Sequence, residues 1–99
     1  MRLNLGQSKM VTLRIEHSVP NLDAWKKAFD SDPLQRRQSG VRRYRSFRPI
    51  DNPLYVTVDL DFDDEPNASA FLARLQELWR RVDVMREPKA QLLEIIEAQ

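Results

Sequence analysis

The chain holds one histidine, His17, inside the stretch IEHSVPNLDAW from Ile15 to Trp25. An imidazole titrates near pH 6.5, so His17 is the side chain best suited to exchange protons at neutral pH. Two readings of its place stand side by side. Either it is a catalytic general base, or hydrogen-bond partner, at a pocket, or its ring bridges a junction between strand and helix. A lone histidine does not make a metal site, which takes three or more protein ligands. The carboxylates Asp59, Asp61, Asp63 and Asp64 lie close together but lack the glycine and bidentate glutamate spacing of a calcium loop. No metal is expected. The chain has no cysteine, which removes disulfide and thiolate chemistry. Its only glycines are Gly6 and Gly40, too few for a phosphate loop, a dinucleotide fingerprint or a nucleophile elbow.

Other side chains can bind rather than react. Trp25 and Trp79 fall at helical spacing with other apolar residues, so they pack in a core or wall one end of a ligand cavity. Tyr44 and Tyr55 carry hydroxyls that could donate to a bound carbonyl or fill a dimer interface. Arg36, Arg37, Arg42, Arg43, Arg45 and Arg48 form a basic run that invites a nucleic-acid reading. The nearby strand LYVTVDLDF argues against it: Asp59 and Asp61 would repel phosphates where bases should stack. These arginines are expected to pair with the acidic stretch 59–65 and with solvent.

The elements that must position these residues follow from periodicity. KMVTLRIEH alternates, with Val11, Leu13, Ile15 and His17 on one face and Met10, Thr12, Arg14 and Glu16 on the other. In VPNLDAWKKAF, Asn21 is an N-cap, and Leu22, Trp25 and Phe29 share a helical face. Pro33 breaks this helix, and a further turn or two over PLQRRQS stops at Gly40. A second strand runs from Val41 to about Arg48, with Arg42, Tyr44, Ser46 and Arg48 expected on its polar face. PIDNP is a turn. In LYVTVDLDF, Leu54, Val56, Val58, Leu60 and Phe62 alternate with Tyr55, Thr57, Asp59 and Asp61. DDEPNASAFLARLQELWRRV reads as a helix with a stripe of Phe71, Leu72, Leu75, Leu78, Trp79 and Val82. AQLLEIIEA reads as a closing strand.

The order β-α-β-β-α-β predicts an α+β, ferredoxin-like fold: a four-stranded antiparallel sheet with two helices on one face. The first and third strands are then central. Their open face would carry Arg14, Tyr55 and Asp59, with Arg14 and an aspartate as cross-strand partners. The chain's 99 residues suit one domain over 10–99, preceded by a flexible, polar extension over 1–9. A net charge of +1 gives no global field to hold a polyanion. No apolar run approaches the ~20 residues that span a bilayer, and no membrane partner is expected. The absence of cysteine fits a reducing compartment, and the cytoplasm is the expected location.

Over about 11–97 this order resembles the dimeric α/β-barrel superfamily. That superfamily includes antibiotic-biosynthesis monooxygenase-like domains, stress-responsive barrel domains and small polyketide cyclase-like proteins. The text from IEHSVPNLDAWKKAFDS to SGVRRYRSFRPIDNPLYVTVDLDF also resembles small bacterial barrel proteins with an H-x-V-x-x-x-x-x-W start and a GV-x-x-Y-x-x-x-R second strand. The resemblance implies a homodimer in which two sheets pack face to face. It also implies a pocket for a small hydrophobic or aromatic ligand, and chemistry without a bound cofactor. It does not extend to the haem-degrading members, because neither predicted helix carries a histidine. The reading is a monooxygenase-like or cyclase-like protein in which His17 accepts a proton, Arg14 and Tyr44 orient the ligand and Trp25 forms an apolar wall. A non-catalytic ligand-binding or stress-associated module on the same scaffold is the alternative, and RNA binding is disfavoured.

Overall fold

The computed structural model describes residues 10–81 and 86–98. The expected 1–9 extension, and Val82 of the second apolar stripe, lie outside the described residues. Six elements follow in the order β1 (Val11–Ser18), α1 (Leu22–Ser31), β2 (Val41–Phe47), β3 (Tyr55–Phe62), α2 (Glu65–Trp79) and β4 (Arg86–Glu94). The strands form one antiparallel sheet in the order β2-β3-β1-β4, with β3 and β1 central. This is the ferredoxin-like α+β fold expected from the sequence.

The core is made where the alternating strand faces meet the helix stripes. Leu13, Ile15, Val56, Val58, Leu60 and Phe62 are buried on one sheet face beneath Trp25, Ala68 and Phe71. The β1–β3 register pairs Leu13 with Leu60 and Ile15 with Val58, so apolar residues stand opposite one another across the central strands. Each helix begins on a side-chain cap. Asn21 accepts from the Ala24 N–H at 3.0 Å, and Asp64 accepts from the Asn67 N–H at 3.0 Å. α1 ends at Ser31, with Asp32 in the left-handed region (φ 52°) before Pro33.

Three details differ from the sequence reading. Residues 33–40 form turns rather than a helical extension of a turn or two. Gly40 still terminates that segment: Val41 N–H donates to Arg36 O at 3.0 Å and Gly40 N–H to Arg37 O at 3.2 Å. This is the paired closure that needs a residue at positive φ, and Gly40 has φ +105°. β4 covers Arg86–Glu94 rather than AQLLEIIEA, because β1 sets its reach. Val11, the first residue of β1, faces Glu94, so the chain beyond Glu94 has no strand left to pair with apart from one bond, Ile95 N–H to Met10 O. The third difference is in β2. Its pairing to β3 shifts between Val41 and Arg43, a bulge that reverses which side chains face the helices.

Among the described residues no helix is long and apolar enough to cross a membrane.

Leu13 is fully buried. Leu13→Ala is expected to cost about 2–5 kcal/mol, read as a lower urea midpoint with an unchanged slope. Gly40→Ala should cost about 1–2 kcal/mol through its dihedral alone. A Cβ there would meet its nearest neighbours at 3.6 Å, an ordinary contact.

Candidate functional site

Between the helix-side sheet face and the two helices lies an apolar cavity of about 270 Å³. β1 contributes Ile15 and His17, β3 contributes Val58 and Leu60, α1 contributes Trp25 and Phe29, and α2 contributes Leu75 and Trp79. The segment after α1 closes one side with Pro33, Leu34 and Arg36. The wall is therefore built by β1, β3 and both helices, and neither β2 nor β4 contributes to it.

His17 is 2% exposed and opposes Val56 in the sheet. Its Nδ1 lies 3.2 Å from the Ser18 carbonyl oxygen. A carbonyl only accepts, so Nδ1 carries the proton in the neutral ring and Nε2 keeps the lone pair. No hydrogen bond among the described residues engages Nε2. Burial lowers the His17 pKa below its ordinary 6.5, and the Ser18 carbonyl opposes that shift only in part. The ring is thus a neutral base at pH 7.

A line of rings runs from His17 along the wall. His17 and Trp25 have centroids 6.4 Å apart, Trp25 stacks on Phe29 at 5.1 Å, and Phe29 meets Tyr44 edge-on at 5.1 Å. Arg36 covers the end of this line, its guanidinium 3.8 Å from the Phe29 ring centre and 5.1 Å from that of Tyr44. Its Nη1 donates to Phe29 O at 2.7 Å and stands 3.4 Å from Asp32 Oδ1.

The expected site residues divide between the two sheet faces. His17 and Trp25 line the cavity. Tyr44, expected on the open face, stands on the helix side instead. The bulge at the start of β2 places Tyr44 opposite Leu60 and turns Arg43, Arg45 and Phe47 toward the open face, where Arg42, Ser46 and Arg48 had been expected beside Tyr44. Arg14, Tyr55 and Asp59 lie on the open face as expected, so the sheet stands between Arg14 and His17. An arrangement in which Arg14 and His17 grip one ligand in this cavity is excluded by that alternation. Arg14 is also engaged: Nε and Nη2 hold the two oxygens of Asp59 at 2.8 and 2.9 Å. Tyr55 donates to Glu16 at 2.9 Å, and that bond holds its phenol above the ordinary 10.

Of the six arginines in the run, Arg42 and Arg43 pair with the acidic stretch as expected, whereas Arg36 turns to Asp32 instead. Arg43 Nε meets Asp61 at 2.7 Å, and Arg42 Nε meets Asp63 at 2.9 Å. Among the described residues no group of three or more histidine, cysteine or acidic side chains is placed to hold a metal. Phe29 and Arg36 were not singled out as site residues by the sequence. Phe29 was visible only as part of a helical stripe and Arg36 only as part of a basic run.

No family model matches the chain, and no curated protein matches it. Solved structures do. A dimeric ferredoxin-like protein from an uncultured marine organism superposes with a TM-score of 0.71 at 8% identity, covering 93% of this chain and 100% of that one. A Nitrosomonas europaea protein provisionally described as an antibiotic biosynthesis monooxygenase gives 0.72 at 21% identity, covering 94% and 96%. SnoaB, a cofactor-independent oxygenase from Streptomyces nogalater, gives 0.74 at 14% identity, covering 92% and 97%. The chain thus has the fold shared by dimeric ferredoxin-like and antibiotic-biosynthesis-monooxygenase-like proteins.

The depressed His17 pKa has a testable sign. As pH falls below 6.5 the unfolded chain takes up a proton that the folded chain refuses until its own lower pKa is reached. Stability should therefore fall with acidification from about pH 6.5 toward that lower value, by up to about 1.4 kcal/mol per pH unit, and level off beneath it. Urea unfolding of His17→Gln should lack this slope. The lowered Asp63 pKa has the same sign and begins to act only below 3.8.

Proposed function

We propose that the chain is a homodimeric small-molecule protein whose cavity takes a compact aromatic or polyketide-like ligand, and that His17 removes a proton from an acidic C–H of that ligand. The observation that carries this reading is a neutral imidazole set in the wall of a mostly apolar cavity, with Nε2 free to accept. A base kept neutral by burial is in its reactive form at pH 7. Proton removal leaves an enolate, an electron-rich form in which an aromatic ligand can react with dioxygen. The fold shared with SnoaB, a cofactor-independent oxygenase, supports a monooxygenase-like reading over a cyclase-like one. Trp25 is the apolar wall beside the base, and Tyr44 holds Phe29 in place from behind.

Arg14, Tyr55 and Asp59 belong in this reading to the dimer interface rather than to the ligand. Thr12 and Asp59 are 8% and 6% exposed although they lie on the sheet face away from the helices, because side-chain pairs already roof them. Such a face has its central carboxylates already paired before it meets a second copy, and dimeric proteins stand among those sharing the fold. The open-face assignment is tested by sedimentation: the natural chain should run as a dimer, and Thr57→Arg, at the centre of that face, as a monomer. A natural chain that stays monomeric at every concentration removes the interface.

The proton-transfer reading is tested with 2-tetralone, a bicyclic ketone with one benzylic acidic carbon. Exchange of that hydrogen for deuterium, followed by proton NMR, should be accelerated by about 100-fold or more over buffer. His17→Gln should return it to the buffer rate. Binding without accelerated exchange would identify a non-catalytic binding module on the same scaffold.

A further inference from the structure

A separate groove of about 630 Å³ lies where the turns after α1 meet the edge strand β2. Four arginines line it, Arg36, Arg37, Arg42 and Arg43, with Asp32 and Tyr44. Three of the four are matched: Arg36 stands by Asp32, Arg42 by Asp63 and Arg43 by Asp61. The Arg37 side chain is exposed and has no hydrogen bond or ion pair among the described residues. The whole chain carries a net charge of only +1, so the surplus here is local. A concave surface lined by one sign of charge concentrates its potential and draws in the opposite sign.

This groove adjoins the apolar cavity. The two share Asp32 and Arg36. The Arg36 guanidinium is the partition, 3.8 Å from the ring centre of Phe29 on the cavity side and 5.1 Å from that of Tyr44 on the groove side. Of the residues that line the cavity only Ser31 and Pro33 are exposed, and they flank Asp32. The side of the cavity nearest solvent is thus the side that meets the groove. The line of rings along the wall starts at His17 and ends under Arg36. A ligand lying along that line presents one end to the imidazole and the other to the groove.

We infer that the ligand of the cavity carries a carboxylate at the end away from His17, and that Arg37 holds this group in the groove. The inference rests on the cavity being a ligand site. One unmatched guanidinium suits a single negative charge, and its planar fork fits both oxygens of a carboxylate. Arg36 is less suited, because its Nη1 is engaged by the Phe29 carbonyl and by Asp32. The apolar wall turns the charge away, since a carboxylate inside it would lose water without gaining a partner. Wall and groove together fix which end of the ligand enters, and so which carbon meets the base. Arg37 is in this way a specificity-determining residue that takes no part in the proton transfer.

The test compares 4-phenylbutanoate with its methyl ester, which has the same skeleton and no charge. Calorimetric titration of the natural chain should show the anion binding about fivefold more tightly than the ester at low salt, a difference that shrinks as salt is added. Both compounds should alter the emission of Trp25 and Trp79, which line the cavity. Arg37→Gln should bind the ester as the natural chain does and lose most of the preference. The Arg37 side chain is exposed and unpartnered among the described residues, so this variant keeps the fold. Arg48→Gln, an equal change of charge outside the groove, should keep the preference. Equal binding of anion and ester, or a preference that survives Arg37→Gln, overturns the inference and leaves the ligand site standing. An anion that binds without altering tryptophan emission sits in the groove alone, which overturns the joint site. Binding of neither compound overturns the carboxylate where 2-tetralone still binds, and the ligand site as well where it does not.

Discussion

Two neighbouring residues of a β-strand look in opposite directions, and the arrangement of this molecule depends on that being enforced at the β1–β3 pair. β1 sends Leu13, Ile15 and His17 toward the helices, and Thr12, Arg14 and Glu16 the other way. A slip of one residue would bury Arg14 in the core and turn His17 outward. Two kinds of contact oppose that slip. On the inner face Leu13 meets Leu60 and Ile15 meets Val58. On the outer face Arg14 grips Asp59 with two bonds, and Thr12 donates to Asp61 at 2.6 Å. Asp59 is nearly buried, so pulling its partner away leaves a charge short of water, and the pair acts as a register lock.

The same alternation explains how much of the site could be read beforehand. His17 falls in phase with Val11, Leu13 and Ile15, which was enough to place it on the helix side, and Trp25 sits one helical turn before Phe29. The caps Asn21 and Gly40 were legible because each residue type answers a specific backbone need. Tyr44 was misplaced because periodicity assumes an unbroken ladder, and a bulge adds a residue without a compositional mark; VRRYRSF carries no glycine to announce one. β4 was displaced because apolar density favoured LLEIIEA over REPKA. Partner length decided instead, and Pro88 is tolerated in an edge strand next to the shift in pairing with β1. Arg36 and Trp79 were ambiguous for another reason. Arg36 reaches Phe29, Asp32 and Tyr44 only through the turns that follow α1, and Trp79 meets a wall that distant elements contribute; no local pattern encodes either.

Electrostatics separates the two faces further. The outer face is a lattice of opposite charges, with Arg14 on Asp59, Arg43 on Asp61 and, at its edge, Arg42 on Asp63. Arg42 holds the Asp63 carboxyl below its ordinary range, and the exposed pair is screened by solvent. The inner face carries almost no charge. Its one histidine is kept neutral by burial, and its one arginine is offset by Asp32 and laid on a ring. Polar recognition on the two sides therefore differs in kind: ion pairs behind the sheet, single neutral hydrogen bonds in front of it.

That difference bears on why a cavity persists at all. A domain this short buries a modest share of its surface and has little stability to spare. Filling the space with larger side chains would gain roughly 0.8 kcal/mol for each methylene taken from water. Two of the residues around it are already the largest available, Trp25 and Trp79, and they stand as walls rather than plugs. Ala28 of α1, which lines the cavity, is small where a leucine would add bulk at little cost to helix propensity. A packing optimum would close this gap. The sequence does not: it spends its bulk on the perimeter and keeps a neutral imidazole in the wall.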